Sequence, residues 1–454
     1  MADDDVDVVV IGLGPGGEDT AGRLAEAGLA VAGVEARLVG GECPYYACVP
    51  TKMMVRAAGL LAEGRRVPGM AGDATVRPDW SPVAGRIRDE ATDDWNDQAA
   101  ADRLTAKGVR LVRGRGRITA PGEVTVGDRT LRARRGILID IGTEPTAPPI
   151  EGLDGTPYWT NREAVRAERV PGSLLVLGGG VVGAETAQVF ARFGADVTIV
   201  EVADRLLAQD EPESSELITE VFRKEGVTVR TGVAVTGVRH DGDAFTLDLG
   251  GERLTAERLL VATGRRSDLK GLGVAAVGLD EDARTIPVDG NMRAADGVWA
   301  IGDVTGKGQF THVSMYQGRI AVRDILGEEG SPAAYRAVPR VTFTDPEIGA
   351  VGLTEAQARD QNLPVRTGFA RLEESARGWI HKAGNEGFVK LVEDTEWGVL
   401  VGATAAGPSG GEVLGALSVA VHAEVPTAAL REMTYAYPTF HRAIEAALAD
   451  LDGA

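Results

Sequence analysis

The sequence is poor in cysteine: 454 residues carry two, Cys43 and Cys48. So local a pair excludes a structural disulfide framework, because the stabilisation from a crosslink grows with the length of chain it closes. Histidine is scarce too, with five in the chain and none beside the cysteines. Two sulfurs alone cannot fill a tetrahedral zinc shell, so no metal site is expected. Hydrophobic runs are short. Val8–Ile11 falls far below the ~20 apolar residues that cross a bilayer, and the opening Met1-Ala-Asp-Asp-Asp5 is acidic, unlike a signal peptide. No membrane partner is expected, and the expected compartment is the cytoplasm, where a persistent disulfide is more often catalytic than structural. Basic charge is in deficit: the net charge of −19 argues against a nucleic-acid partner. Arg110, Arg113, Arg115, Arg117, Arg132, Arg134 and Arg135 are read as a solvated sheet face. Low-complexity segments are absent.

Apolar residues make up 44% of the chain, enough for sizeable cores, and at roughly 100–200 residues per domain the length suggests about three. Val6–Ile11 reads as a buried parallel strand, Thr20–Gly28 as a helix and Leu29–Glu35 as a second strand, a βαβ unit. The pattern recurs with Ser173–Leu177, Ala184–Phe193 and Asp196–Glu201, implying two nucleotide sites. Prolines near 150, glycines over 270–278 and the stretch 331–339 mark boundaries. Beyond them, Val341–Phe343, Phe388–Val392 and Val399–Thr404 read as strands, and Glu355–Arg359, Gly411–His422 and Arg442–Ala449 as helices, of a separate α+β domain.

Each βαβ turn is glycine-rich. Gly12, Gly14 and Gly17 fit G-x-G-x-x-G, in which the first glycine permits the tight turn, the second admits a pyrophosphate and the third allows close packing. The following helix N-terminus offers amides to phosphate. Glu35, about 20 residues on, stands where a carboxylate bonds a ribose diol. Gly178, Gly180 and Gly183 repeat the logic with Glu201. A carboxylate there favours NADH over NADPH by repelling the 2′-phosphate, although the nearby Arg205 weakens that preference.

Gly40-Gly-Glu-Cys43-Pro-Tyr-Tyr-Ala-Cys48-Val-Pro-Thr-Lys52 follows the first unit directly. Gly40, Gly41 and Pro44 favour bends that let the sulfurs meet; two inert buried thiols are the structural alternative.

These motifs resemble the pyridine nucleotide–disulfide oxidoreductases, the group of dihydrolipoamide dehydrogenase, glutathione reductase and mercuric reductase. The pattern G-G-x-C-x₄-C-V-P-[ST]-K is intact from Gly40 to Lys52, and Val261–Arg265, Val298–Asp303 and Thr344–Leu353 resemble further signature strands, so the resemblance covers nearly the whole chain. It implies an α/β fold with two Rossmann-like dinucleotide-binding domains and a C-terminal α+β dimerisation domain. By that division residues 1–150 and 271–338 form the FAD part, 151–270 the NAD(P)H domain and 339–454 the dimerisation domain. Implied cofactors are FAD and NADH, with NADPH the alternative, and the implied partner is a second copy of the chain.

Implied FAD contacts include Gly41, Lys52, Gly142, Gly264 and Asp303, the last on ribityl oxygens. Cys48 would lie beside the flavin and Cys43 would attack substrate, while Lys52 and Glu185 match a pair near the flavin's reactive nitrogen. Val181 stands where glutathione reductases carry an aromatic gate, as in the lipoamide type. Electrons would run from NAD(P)H by way of FAD to the Cys43–Cys48 disulfide and on to a small-molecule or other disulfide.

The chain departs from the family in three places. The C-terminal His of H-P-T-x-x-E is Tyr437 here and the Glu is Arg442. A phenol of pKa about 10 does not accept a proton at neutral pH. Either the dyad has moved one turn along, on a helix starting at Pro438 with Tyr437, His441 and Glu445 on one face, or the base is absent. Between the cysteines, Pro44-Tyr-Tyr-Ala47 is bulkier than usual and narrows the approach. Asp140 replaces a small residue in Ile137–Gly142, for no reason the sequence gives. The remaining histidines, His240, His312, His381 and His422, are read as structural, with His312 preceding the helix of Tyr316–Gly318.

The leading expectation is an NADH-dependent disulfide reductase. The alternatives are a quinone or other non-thiol acceptor reductase, an Hg(II) reductase (ranked lower because no C-terminal cysteine pair hands over metal), and a binding scaffold with a vestigial cysteine pair.

Overall fold

The computed structural model describes residues 4–453, so Met1–Asp3 of the acidic start lie outside the described residues. The chain divides into two compact units. The first joins Met1–Pro50, Gly85–Thr146 and Gly264–Tyr335; the second joins Thr51–Ala84, Ala147–Thr263 and Arg336–Ala454.

The first unit is built on an eight-stranded sheet. At its centre Asp5–Ile11, with its five apolar residues buried, pairs in parallel with Val31–Glu35 on one side and Arg129–Ile139 on the other. Arg110–Arg113 forms one edge; on the other side Val298–Ala300 pairs with Arg129–Ile139, and Arg293–Ala295 pairs antiparallel outside it. Short apolar runs suffice because both faces are covered. The first helix is Pro15–Glu26, starting earlier than the apolar spacing indicates. Proline at the first helical position loses no bond, since that amide has no helical partner, and its fixed φ suits the helix. This helix packs on Thr311–Leu326 through small residues: a Cβ on Gly16 would strike Ser314 and one on Gly318 would strike Thr20. His312 lies inside that second helix, not before it, and its ring stacks on Phe310 with centroids 5.2 Å apart.

Most of the arginine face is exposed and partnered, but Arg110 is half-buried and its Nε and Nη2 have no partner among the described residues. Arg134 meets Asp7, Arg132 meets Glu123, and Arg115 meets Asp268. Arg113 departs from the solvated reading: it clamps the carboxylate of Asp97 at 2.6 and 2.9 Å.

The second unit holds a four-stranded parallel sheet ordered Thr228–Arg230, Asp196–Val200, Ser173–Leu177, Arg258–Val261. Its first crossover helix is Val181–Arg192. The same unit contains a five-stranded antiparallel sheet, Pro339–Thr342, Glu347–Gly352, Val399–Gly407, Phe388–Asp394 and Val365–Arg371, packed by helices Gly410–His422 and Ala443–Asp450. Buried Lys390, in the strand Phe388–Asp394, is held by Glu211, Glu213 and Glu355 at 3.1, 2.7 and 3.0 Å. No helix of the described residues is long and apolar enough to cross a membrane.

The C-terminal helix does not start at Pro438. Thr439 is extended (φ −136°, ψ 158°), a short 3-10 turn spans Phe440–Arg442, and the α-helix opens only at Ala443. The i, i+4 face expected of Tyr437, His441 and Glu445 therefore does not form.

Candidate active site

In the first unit the strand Asp5–Ile11 ends in a turn that only glycine permits. Gly12 has φ +89°, and a Cβ there would run into the Asp140 carbonyl. The helix Pro15–Glu26 then opens with no side chain capping Gly14. Pro15 has no N–H, and the Gly17 amide donates to Asp140 Oδ2 at 2.6 Å, which leaves Gly16 N–H without a helical acceptor. At the next strand's end, buried Glu35 accepts from Leu13 N at 2.8 Å and Arg37 N at 2.7 Å, one amide per oxygen, and keeps a lone pair on each. Burial raises its pKa. Gly41, at φ +67°, brings its backbone against Gly14, so the cysteine-bearing loop and the glycine turn touch.

Further along, Gly142 (φ +58°) and Gly264 flank the short pairing of Glu144–Pro145 with Arg265–Arg266. Thr143 Oγ1 donates to Asp303 Oδ2 at 2.6 Å and accepts from Arg265 Nε at 2.9 Å. Asp303 is half-buried; the desolvation raises its pKa, and its other oxygen can take a hydroxyl. An open glycine turn with an unused amide, a carboxylate at the ribose end and a second carboxylate farther on fit the two halves of FAD.

Asp140 acquires an explanation. Its Oδ2 takes the Gly17 amide and its Oδ1 accepts from Ser314 Oγ at 3.1 Å, so it ties the glycine turn to the helix Thr311–Leu326. Burial pushes its pKa up to about 8, with Asp303 and Glu35 adding repulsion.

Cys43 lies in the helical turn Glu42–Tyr45, half-buried, and Cys48 opens the helix Cys48–Arg66, exposed. Their side chains hydrogen-bond each other. Cys48 Sγ also lies 3.6 Å from Thr311 Oγ1, at the first residue of the helix Thr311–Leu326. The bond to Cys48 and burial push the Cys43 thiol well above its ordinary range, and the Thr311 hydroxyl opposes this. Sequence reasoning missed Thr311, since no local pattern links it to a loop so distant in the chain.

In the second unit the second glycine turn is formed alike. Gly178 has φ +109° against the Ala262 carbonyl, Gly183 packs against Gly178, and nothing crowds Gly180. Glu201 accepts from Gly179 N and, at 2.7 Å, from Ala203 N. Arg205 donates to the carbonyls of Ala208 (2.9 Å) and Asp210 (3.1 Å), engaged with its own loop.

Lys52 and Glu185 are brought together at 2.8 Å. Glu185 also accepts from Phe343 N at 2.8 Å, and the Phe343 ring lies 4.7 Å under Lys52 Nζ. Phe343 is another residue the sequence reading overlooked. The C-terminal trio is not assembled. Glu445 pairs with Arg442 at 2.8 Å, while His441 Nε2 lies 3.3 Å from Thr439 Oγ1. Tyr437 is 69% exposed, with the Arg442 guanidinium 5.5 Å over its ring. Among the described residues no group of three or more His, Cys, Asp and Glu is placed to hold a metal.

Two glycine-turn nucleotide cradles and a pair of sulfurs in contact define a protein that moves electron pairs between a nicotinamide and thiols. The chain belongs to the pyridine nucleotide-disulphide oxidoreductases: that family's profile matches residues 6–318, and the profile of its dimerisation domain matches 338–448. The family binds FAD and NAD(P)H, and the chain is an oxidoreductase of this flavoprotein class.

Similar curated proteins include a mercuric reductase of Bacillus cereus, 31% identical over 99% of this chain and 72% of that protein. A dihydrolipoyl dehydrogenase of Thermus scotoductus is 34% identical over 95% and 94%. Among solved structures, the Cu(II) complex of the HOCl-induced flavoprotein disulfide reductase RclA from Escherichia coli superposes with TM-score 0.86 at 26% identity, covering 98% of this chain and 99% of that one.

Proposed function

We propose that the chain is an NADH-dependent disulfide reductase, active as a homodimer in the cytoplasm, with Cys43 and Cys48 as its redox pair. The observation that carries this reading is the mutual hydrogen bond of the two side chains, made beside Thr311 in the unit that holds the Gly12–Gly17 turn. The division into an FAD part (1–150 and 271–338), an NADH domain (151–270) and a dimerisation domain (339–454) is part of the proposal. A dithiol that must be regenerated on each turnover suits a reducing compartment.

Bound FAD would supply a two-electron carrier between nicotinamide and sulfur. The residues supply the rest. Gly16 N–H and Glu35 bind and orient the ADP half, and Asp303 the ribityl chain. Glu201, fixed by two backbone amides, would accept a ribose 2′-hydroxyl and repel a 2′-phosphate, which supports NADH over NADPH. Lys52, steadied by Glu185 and the Phe343 ring, would supply a cation of the kind that offsets negative charge on a reduced cofactor. Cys43, after giving up its proton to solvent, attacks a disulfide R–S–S–R as the thiolate, forming a mixed disulfide and releasing one RS⁻. Cys48 thiolate then displaces the second RS⁻ and closes the Cys43–Cys48 disulfide.

A second reading, reduction of a thiophilic metal ion by the same pair, is favoured by Tyr437 standing in place of histidine without a His441–Glu445 dyad. Some relatives are mercuric reductases, and one similar solved structure is a Cu(II) complex of RclA. Anaerobic titration with NADH and NADPH, then turnover with disulfides, quinones and Hg(II), tests both. The proposal expects NADH to be preferred and disulfide turnover to vanish in Cys43→Ser. Quinone turnover that survives Cys43→Ser, with no disulfide turnover in the parent, would contradict it.

A further inference from the structure

The cysteines lie on a short loop, and a neighbouring segment of the same unit grips that loop at two points. Its backbone is unusual. Ile87–Ala91 is a π-helical turn, closed by Thr92 Oγ1 donating to the carbonyls of Ile87 (3.0 Å) and Arg88 (3.2 Å). Asp93, Asp94 and Trp95 follow in the left-handed region, at φ 47°, 54° and 58°. That region is disfavoured for residues with a Cβ, and three in succession persist only where surrounding contacts impose them.

Those contacts run to the redox loop. Trp95 Nε1 donates to the carbonyl of Tyr45, between the cysteines, at 3.2 Å. Asp97 Oδ2 accepts from Val39 N, just before Gly40, at 2.6 Å, while Arg113 holds the same carboxylate from the other side. Within the loop, Tyr46 N and Ala47 N both donate to the Glu42 carbonyl, at 2.8 and 2.9 Å. The left-handed run turns the chain sharply enough for Trp95 and Asp97 to reach the loop's middle and its start.

We propose that residues 92–97 form a strap that fixes the spacing of Cys43 and Cys48 and thereby sets the balance between their dithiol and disulfide forms. Trp95 is a positioning residue: it acts through the Tyr45 carbonyl. The inference rests on the reading of the cysteines as a redox pair. Ring closure removes two electrons and two protons from the thiols. In the test these pass to glutathione disulfide, which becomes two glutathione thiols. Holding the sulfurs in contact raises their effective concentration for that closure.

The test equilibrates the purified full-length protein anaerobically across glutathione/glutathione-disulfide ratios and counts Cys43 and Cys48 thiols by alkylation and mass. Trp95→Phe, which keeps the aromatic bulk and removes the donor, is expected to shift the equilibrium about fivefold toward dithiol, the size of one neutral hydrogen bond. Asp97→Asn loosens the other tie and shifts it the same way, so the test does not rest on one variant. Asp94→Gly relieves the left-handed strain while keeping Trp95; it raises the melting temperature and leaves the equilibrium unchanged, which separates positioning from stability. Unchanged equilibria in both Trp95→Phe and Asp97→Asn overturn the strap and leave the redox pair standing. A parent protein that stays dithiol at every ratio overturns both.

Discussion

Asp140 shows how one residue can look anomalous in a sequence and ordinary in a fold. A carboxyl buried between the Gly17 amide and Ser314, repelled by Asp303 and Glu35, titrates at about 8 rather than near 3.8. The folded protein keeps its proton while the unfolded chain, above pH ~4, has lost it. Asp140 thus contributes stability that is fully present below about pH 4 and is lost as pH rises through about 8. Asp140→Asn, neutral at every pH, is predicted to melt higher than the parent at pH 8 to 9 by a few degrees, with the gap shrinking toward pH 4. A gap that does not depend on pH would contradict the assignment. His441 gives a prediction of the opposite kind. Because it faces Thr439 and not Glu445, His441→Ala should leave disulfide turnover and its pH profile unchanged. A drop of about 10²-fold or more, the lower range for a lost general base, would restore the relocated dyad.

At the scale of elements, the helix Val181–Arg192 does more than cross between strands. Glu185, Gln188 and Arg192, at i, i+3 and i+7, share one face. They hold the segment from Phe343 to Asp345: Glu185 takes Phe343 N, Gln188 bonds Asp345 N and O, each at 2.8 Å, and Arg192 pairs with Asp345 at 2.8 Å. Arg192 is buried and shared with Glu225. Arg192→Met should destabilise the protein by about 3 kcal/mol, because it strands carboxylates in a partly buried site, as read from denaturant midpoints. A loss under ~0.5 kcal/mol would mean the pair is merely a surface contact.

Elements of this kind were legible where local chemistry decides them. The two βαβ units and the C-terminal strands stand within a few residues of where hydrophobic period and glycine turns put them. The helix expected from Pro438 was misread because 437, 441 and 445 have helical spacing, and spacing does not report that Thr439 is extended. The site divides in the same way. Cys43, Cys48 and the glycine turns announce themselves within one stretch of chain. Thr311 and Trp95 matter through contacts with distant loops, and neither carries a motif.

At the scale of the whole molecule, a chain with a matched dimerisation domain and net charge −19 should repel nonspecific partners while pairing with itself. Sedimentation is expected to give a mass of about twice 47.5 kDa, with a melting temperature that rises with protein concentration. A monomer across the micromolar range would remove the partner subunit from the proposal.

The central claim is that electrons from the nicotinamide reach the two cysteines. The direct measurement reduces the oxidised holoprotein anaerobically with stoichiometric NADH and counts alkylatable thiols before and after. The account predicts that both Cys43 and Cys48 become alkylatable as NADH is consumed. NADH oxidised with no gain in thiols at either residue would contradict it.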